Sequence, residues 1–178
     1  MKLPAFLSSI IAALTFGTVC SANQGAMVKP PYDAPAVSSI DQDGKAINFS
    51  DVYKKGITVV YFYPKADTPG CTKQACALRD AWSQITSKAL LFGISTDPIK
   101  RHAKFIQKHT LPFPLIADED HTIVNAYGVW VEKTLYGKKH LGTERTTFII
   151  NETGHITTLL EKVKPDEHLQ QVLAALAS

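Results

Sequence analysis

The chain has 178 residues, of which 45% are hydrophobic and 20% are charged, and its formal net charge is +3. This length and composition indicate one globular domain with a hydrophobic core, and they exclude a disordered or collagen-like chain. Because no cluster of Lys and Arg interleaved with aromatic residues stands out, nucleic acid is not expected as a partner.

The chain begins with a segment that has the pattern of a secretory signal. Lys2 supplies a positive charge, the stretch 3–19 is apolar apart from a few Ser and Thr, and small residues up to Ala22 suit a signal peptidase. We therefore expect residues 1–22 to be cleaved. Cleavage leaves the mature protein in the periplasm or elsewhere outside the cytoplasm, with no stable membrane association.

Two other interpretations of this segment stay open. The charge-free run continues to Val28, which is long enough for an uncleaved N-terminal anchor of marginal length. Cys20 is a candidate for lipidation, although the bulky residue before it is unusual at such a site. In the favoured interpretation, residues 23–35 form a polar, Pro-containing arm, and residues 36–178 form the domain.

The first elements predicted after the arm are a hairpin and a buried strand. Residues 36–40 and 46–49 have the pattern of two strands joined by a tight turn with an Asp-Gly pair. Residues 57–63 form a continuous β-branched and aromatic run, which predicts a strand buried on both faces. This strand ends at Pro64 because proline cannot donate to a ladder, and a loop over 64–70 follows.

The remainder alternates helices and strands. In chain order, the predicted elements are a helix over 71–87, a strand over 90–95, a helix over 98–109, a strand over 115–117, a helix over 121–127, strands over 146–150 and 156–160, and an amphipathic helix over 166–176. The basic cluster Lys138-Lys139-His140 is interpreted as a solvated loop. This order predicts an α/β domain with a mixed central sheet flanked by helices.

Cys71 lies where the buried strand and its loop give way to the predicted helix. A thiol at a helix N-terminus is close to unpaired backbone N–H groups and to the positive end of the helix dipole. Both favour the thiolate, which is the reactive form of cysteine. The position of Cys71 therefore predicts a nucleophile.

Cys76 follows Cys71 by five residues, and a plain structural disulfide is the usual expectation for two cysteines in an exported protein. On an ideal helix, Cα atoms five residues apart are separated by about 8.6 Å. A disulfide needs a Cα–Cα distance of roughly 4.4–6.8 Å. Either the first turn of the helix unwinds on oxidation, or Cys76 never pairs with Cys71. A disulfide between the two cysteines would strain the helix. A redox switch can use such strain, whereas a static disulfide would disrupt the helix that carries it.

The sequence around Cys71 is similar to that of a known family. Pro64, Thr68 and Cys71 stand in the spacing Pro-x-x-x-Thr-x-x-Cys, and the longer string FYPKADTPGCTKQACALRD covers residues 62–80. The chain resembles the peroxiredoxins, and within them the peroxiredoxin Q or bacterioferritin-comigratory-protein subfamily. The resemblance extends over residues 34–176.

The resemblance implies a thioredoxin-like fold and a set of roles. Cys71 is the peroxidatic cysteine, Thr68 contacts its thiolate and the substrate oxygens, Pro64 shields it, and Arg145 holds it ionised. Cys76 is the resolving cysteine, which forms an intramolecular disulfide with the sulfenic acid of Cys71. The substrates are hydrogen peroxide and organic hydroperoxides, and the reductant is a thioredoxin-like dithiol protein. No metal or organic cofactor is implied, and a monomer or weak dimer is expected.

Three other functions compete with this hypothesis. An extracytoplasmic thiol–disulfide oxidoreductase usually carries Cys-x-x-Cys, whereas the spacing here is Cys-x-x-x-x-Cys. An exported copper chaperone requires a histidine near the two cysteines, and a zinc site requires further ligands, but the six histidines have no ligand spacing. A non-catalytic domain with a stabilising disulfide is the third.

Overall fold

The computed structural model describes residues 32–135 and 137–177. The predicted signal over residues 1–22 and most of the predicted arm therefore lie outside the described residues. The helices are α1 (Phe49–Tyr53), α2 (Pro69–Asp80), α3 (Trp82–Thr86), α4 (Ile99–His109), α5 (Thr122–Ala126) and α6 (His168–Ala175). The strands are β1 (Tyr32–Asp33), β2 (Ser38–Asp41), β3 (Ala46–Asn48), β4 (Thr58–Phe62), β5 (Leu90–Ser95), β6 (Leu115–Ala117), β7 (Trp130–Leu135), β8 (Lys138–Thr143), β9 (Thr147–Ile150) and β10 (His155–Leu160). No helix in this described part is long and apolar enough to cross a membrane.

Eight strands form one mixed sheet in the order β1-β10-β9-β4-β5-β6-β2-β3. Strand β5 lies parallel to both β4 and β6, and β9 lies antiparallel to β4. The two parallel connections run through α2 and α3 and through α4, because parallel neighbours need a crossover that a helix supplies. This α/β architecture confirms the predicted fold class, a thioredoxin-like fold with an N-terminal β-hairpin.

Strand β4 separates two hydrophobic clusters because its side chains alternate between the two faces of the sheet. Tyr61 and Tyr63 pack in the cluster that includes residues of α2, α4 and α6. Val60 and Phe62 pack in the cluster that includes residues of α1 and α5. Every residue of β4 is buried, which explains why its sequence is a continuous apolar run. Cys71, in the first turn of α2, belongs to the first cluster.

The predicted N-terminal hairpin is present as β2 and β3. Asp41 Oδ1 accepts hydrogen bonds from the backbone N–H groups of Asp43 and Lys45, and Gly44 has a φ of +76°. The second strand is shorter than predicted. Its expected last residue, Phe49, instead begins α1, because the side chain of Asn48 caps that helix by accepting from Ser50 N–H.

The predicted helix over 71–87 is two helices that meet at Ala81, where φ is −99° and ψ is 17°. The first of them, α2, also begins two residues earlier than predicted, at Pro69. Proline suits the first position of a helix because its missing N–H has no intrahelical partner there. The loop over 64–70 is correspondingly shorter, and Cys71 lies inside the first turn.

Three strands were not predicted. Tyr32 and Asp33, at the end of the predicted arm, form β1 and pair with β10. Strands β7 and β8 form a separate antiparallel hairpin. The interpretation of Lys138-Lys139-His140 as a loop was wrong, since these residues begin β8, although their side chains are exposed. Cross-strand pairing with β7 stabilises a sequence whose own strand preference is weak.

Candidate active site

Cys71 lies in the first turn of α2 and is buried, with 2% of its surface exposed. Thr68 occupies the N-cap position and Pro69 the first helical position, so Cys71 is the third residue of the helix. The loop before the helix is held by a hydrogen bond of 2.6 Å from Ala66 N–H to Asp97 Oδ2. The sulfur is therefore at the positive end of a twelve-residue helix, as the sequence predicted.

Arg145, 74 residues farther along the chain, provides a positive charge at this sulfur. Its Nη1 donates to Cys71 Sγ at 3.2 Å. The backbone on which Arg145 sits is held by a hydrogen bond of 2.9 Å from Val163 N–H to the Arg145 carbonyl. The two residues that the resemblance assigned to thiolate formation are thus in contact, and the guanidinium favours negative charge on the sulfur.

The surroundings of Cys71 are apolar and strengthen that interaction. Tyr61 and Tyr63 belong to the same cluster, and their rings stack with centroids 5.6 Å apart. Burial is the main cause that raises the pKa of both phenols, and the nearby Cys71 adds to it. Both phenols therefore stay neutral. In such a poorly hydrated site, the attraction between a guanidinium and a thiolate is screened less than in water.

A buried hydrogen-bonded series behind Arg145 was missed in the sequence. Arg145 Nη1 also donates to Gln74 Oε1 at 2.9 Å. The Gln74 amide nitrogen then donates to His168 Nδ1 at 3.0 Å, and His168 Nε2 donates to Thr147 Oγ1 at 2.8 Å. The donors are assigned from the guanidinium, which can only donate. The Gln74 oxygen must therefore face Arg145, which leaves the Gln74 NH₂ group to donate to His168.

His168 is neutral in this series. Burial, and then the charge of Arg145, lower its pKa to about 4. Gln74 lies three residues after Cys71 and so on the same side of α2. This spacing could have identified Gln74 from the sequence as a neighbour of the active site. His168 lies 94 residues from Gln74 and carried no comparable signal.

Gly70 lies close to the guanidinium of Arg145. A Cβ atom at this position would lie 3.1 Å from Arg145 Nη2 and 3.4 Å from Pro165 Cγ. The guanidinium therefore lies against the backbone of the first turn of α2. A Cβ at residue 70 would push the guanidinium by a few tenths of an ångström.

Thr68 and Pro64 occupy the predicted loop. Thr68 is the N-cap residue, but its hydroxyl makes no capping hydrogen bond and donates instead to the Lys65 carbonyl at 2.9 Å. The hydroxyl is therefore oriented by the loop itself. Pro64 is half-buried directly after Tyr63, where the chain leaves the sheet.

Cys76 lies on the same unbroken helix as Cys71, is half-buried, and like Cys71 is a free thiol. The helical separation expected from the sequence therefore applies, and the two sulfurs meet only if the helix opens. Cys76 Sγ lies 3.9 Å from His109 Nδ1, a histidine that the sequence analysis did not single out. Within the described residues, no group of three or more His, Cys, Asp and Glu side chains could hold a metal ion.

The chain is similar to several known proteins. A family model described as AhpC/TSA matches residues 31–159, more than half of the chain. The chain belongs to the AhpC/TSA family. Within that family it is 45% identical, over 144 residues, to a putative peroxiredoxin bcp of Coxiella burnetii, covering 80% of this chain and 95% of that protein.

Solved structures of peroxiredoxins share the fold of this AhpC/TSA-family chain. The bacterioferritin comigratory protein of Xanthomonas campestris, studied for its alkyl peroxide reduction activity, is 33% identical with a TM-score of 0.76, covering 82% of this chain and 95% of that one. A PrxQ variant of Xylella fastidiosa is 30% identical with a TM-score of 0.80, covering 86% and 98%. The resemblance is confirmed: the protein is a peroxiredoxin, a thiol-dependent peroxidase with an antioxidant function.

Proposed function

We propose that Cys71 is the peroxidatic cysteine, and that this peroxiredoxin reduces hydrogen peroxide and organic hydroperoxides through it. The observation that carries the proposal is the 3.2 Å contact between Arg145 Nη1 and Cys71 Sγ in the first turn of α2. The described alkyl peroxide reduction by the Xanthomonas relative supports organic hydroperoxides as substrates here.

In the first step, the Cys71 thiolate attacks one oxygen of ROOH. An S–O bond forms, the O–O bond breaks, and the leaving RO⁻ takes a proton to become an alcohol or water. Arg145 and backbone N–H groups of the first turn stabilise the charge that develops on the oxygens. The Thr68 hydroxyl, whose hydrogen is donated to the Lys65 carbonyl, accepts the O–H of the hydroperoxide and so orients it. Pro64 keeps water from the sulfur. The product on Cys71 is a sulfenic acid.

In the second step, Cys76 condenses with that sulfenic acid and water leaves. The two cysteines are on one helix, so the first turn of α2 unwinds before the disulfide forms. A thioredoxin-like dithiol protein then reduces the disulfide by exchange. No cofactor takes part.

We also propose that the mature protein works outside the cytoplasm. The support is the sequence pattern of residues 1–22. A membrane-attached or extracytoplasmic dithiol protein is therefore the expected reductant. The mass of the exported protein tests cleavage after Ala22.

The reduced protein is mixed with a slight excess of hydrogen peroxide or cumene hydroperoxide, and thiol loss is followed in the wild type, Cys71→Ser and Cys76→Ser. The wild type should lose both thiols rapidly. Cys76→Ser should accumulate a sulfenic acid that a dimedone probe labels, and Cys71→Ser should be nearly inert. Peroxide consumption by Cys71→Ser at the wild-type rate would end the proposal. Exchange with disulfide substrates without peroxide consumption would favour a thiol–disulfide oxidoreductase instead.

A further inference from the structure

Cys76 has a histidine and a carboxylate beside it. His109 Nδ1 lies 3.9 Å from Cys76 Sγ. The other ring nitrogen, His109 Nε2, lies 3.2 Å from Asp67 Oδ1. The imidazole at the end of α4 therefore bridges the thiol on α2 and the carboxylate of the loop before α2. These contacts are separate from those that hold Cys71, whose partner is Arg145.

The charges around His109 determine which ring nitrogen carries its proton. Lys108 Nζ lies 2.9 Å from both oxygens of Asp67. Hydrogen bonds from Lys108, and then from His109, lower the pKa of Asp67, so its side chain is a carboxylate at neutral pH. A carboxylate accepts hydrogen bonds and does not donate them, so His109 Nε2 carries the proton. Nδ1 is therefore the ring nitrogen that can accept a proton, and it is the one that faces the thiol.

The position of His109 does not depend on its own imidazole. Arg79, on α2, donates from Nη1 to the backbone carbonyl of His109 at 2.7 Å and pairs with Asp80 at 2.8 Å. The ring of Phe105 packs edge-on against the imidazole itself, with centroids 5.1 Å apart, and so helps to orient it, whereas the bond from Arg79 holds the backbone alone. Replacing the imidazole therefore leaves the end of α4 attached to α2.

We propose that His109 is the proton acceptor for Cys76 in the resolving step, and that Asp67 is the positioning residue that orients the imidazole. A cysteine with a neighbouring base, itself oriented by a third group, is the general arrangement of an activated nucleophile. This inference rests on the proposed function of Cys76 as the resolving cysteine. It adds the group that makes that thiol nucleophilic.

The step balances without a further reactant. The Cys76 thiol proton moves to His109 Nδ1, and the Cys76 sulfur attacks the sulfur of the Cys71 sulfenic acid. The S–S bond forms, the S–O bond breaks, and the leaving hydroxide takes a proton from the imidazolium and becomes water. The Cys76 sulfur is oxidised and the Cys71 sulfur is reduced. His109 returns to its neutral form.

If these contacts only held the loop before α2 to α4, the expected results would differ from those for a proton acceptor. Asp67 lies directly before the N-cap of α2 with a φ of +58°, so it adjoins the first turn that has to open. Lys108 and His109 both tie this loop to α4. If tying were the whole role, loss of either side chain would have the same effect. If His109 accepts the proton, loss of Lys108 leaves the chemistry of Cys76 intact.

The first test measures Cys76 without any peroxide chemistry. In a Cys71→Ser background, alkylation of Cys76 by iodoacetamide is quantified by peptide mass spectrometry between pH 5 and 9. His109→Gln keeps a polar group beside Asp67 but accepts no proton, and Lys108→Met is the matched control. His109→Gln should slow alkylation at pH 7 by about tenfold or more and move the midpoint of the rate–pH profile to higher pH. Lys108→Met should stay within about twofold of the parent, with an unchanged midpoint.

The second test follows the complete cycle in the full chain, with rapid acid quench after peroxide is added. In His109→Gln, oxidation of Cys71 should keep its rate while formation of the Cys71–Cys76 disulfide slows by about tenfold or more. Disulfide formation at the wild-type rate, or equal effects of His109→Gln and Lys108→Met, would overturn the inference and leave the proposed function standing. A wild type that never forms this disulfide would overturn the proposed role of Cys76, although the alkylation difference would persist.

Discussion

Arg145 Nη1 contacts Cys71 Sγ at 3.2 Å and Gln74 Oε1 at 2.9 Å, so both hydrogens of one guanidinium nitrogen are engaged. The first contact places positive charge at the sulfur, and the second fixes the orientation of the guanidinium relative to the sulfur. Since Gln74 is held by the neutral His168, the orientation of the guanidinium is supported from inside the core.

Removal of the Arg145 charge should slow the first chemical step. We expect Arg145→Met to lower the second-order rate constant for Cys71 oxidation by about 10²–10³-fold, the usual cost of losing one donor that stabilises developing charge. Single-turnover stopped-flow measurement with hydrogen peroxide checks this. Lys138→Met, which removes one exposed positive charge from β8, is the matched control and should keep the wild-type rate. A rate for Arg145→Met within about threefold of the wild type would contradict the assignment.

A methyl group at residue 70 should impair the reaction without unfolding the protein. The added Cβ of Gly70→Ala would lie 3.1 Å from Arg145 Nη2, so the guanidinium must shift by a few tenths of an ångström. We expect a loss of roughly tenfold in the rate of Cys71 oxidation, while alanine's better helix propensity keeps the free energy of unfolding unchanged or higher.

The control for this change is Gly142→Ala, whose Cβ would meet Lys133 Cδ at an ordinary 3.5 Å. It should alter neither the rate nor the stability by a comparable amount. An unchanged rate in Gly70→Ala would mean that the position of the guanidinium tolerates the shift.

The free energy of unfolding should fall as the pH drops from about 6.5 to about 4. Burial lowers the pKa values of His168 and His102 to about 4 from their ordinary value of 6.5. In this window the unfolded chain binds protons that the folded chain does not, so stability decreases with falling pH. Each histidine contributes about 3 kcal/mol across the window.

Urea denaturation at several pH values measures this slope. His168→Gln removes one of these two buried imidazoles. It should flatten the pH dependence of the free energy of unfolding below pH 6.5, even if it also lowers that free energy at pH 7. The exposed His140→Gln is the control and should keep the wild-type slope. Equal slopes in His168→Gln and the wild type would show that folding does not lower the pKa of His168.

Gly93 in β5 should not tolerate a side chain. A Cβ at this position would lie 2.7 Å from Tyr61 Cζ and 2.7 Å from Leu115 Cδ2, inside the buried cluster next to β4. We expect Gly93→Ala to lower the free energy of unfolding by about 1–3 kcal/mol through overpacking. Thermal or urea denaturation measures the change, and a stability equal to that of Gly142→Ala would contradict it.

Much of the fold was predictable because the spacing of apolar residues along the chain shows which face of a helix or strand is buried. The apolar run of β4, the Asp-Gly hairpin and most helices lie where the sequence predicts them. The errors fall where a local signal is weak or misleading. The break at Ala81 has no Pro or Gly to mark it, and β8 begins with exposed Lys138 and Lys139, whose strand conformation comes from pairing with β7.

The sequence by itself determined the chemistry that this protein offers. Cys71 follows a buried strand and stands at the start of a helix, and Cys76 comes five residues later. Both features can be read from neighbouring residues along the chain. The family motif around Thr68 adds specificity that is equally local. Arg145 was assigned through the resemblance and through its position at the head of a predicted buried strand, and neither joins it to Cys71 by a local pattern.

Only the tertiary structure decided which groups act on the two thiols. Gln74, His168 and Thr147 behind Arg145 are brought together by the packing of α2, β9 and α6. The pair of His109 and Asp67 reaches Cys76 because α4 ends beside α2. Partners 21 to 94 residues apart leave no periodic trace in the sequence, because their contact depends on how the sheet and its helices pack.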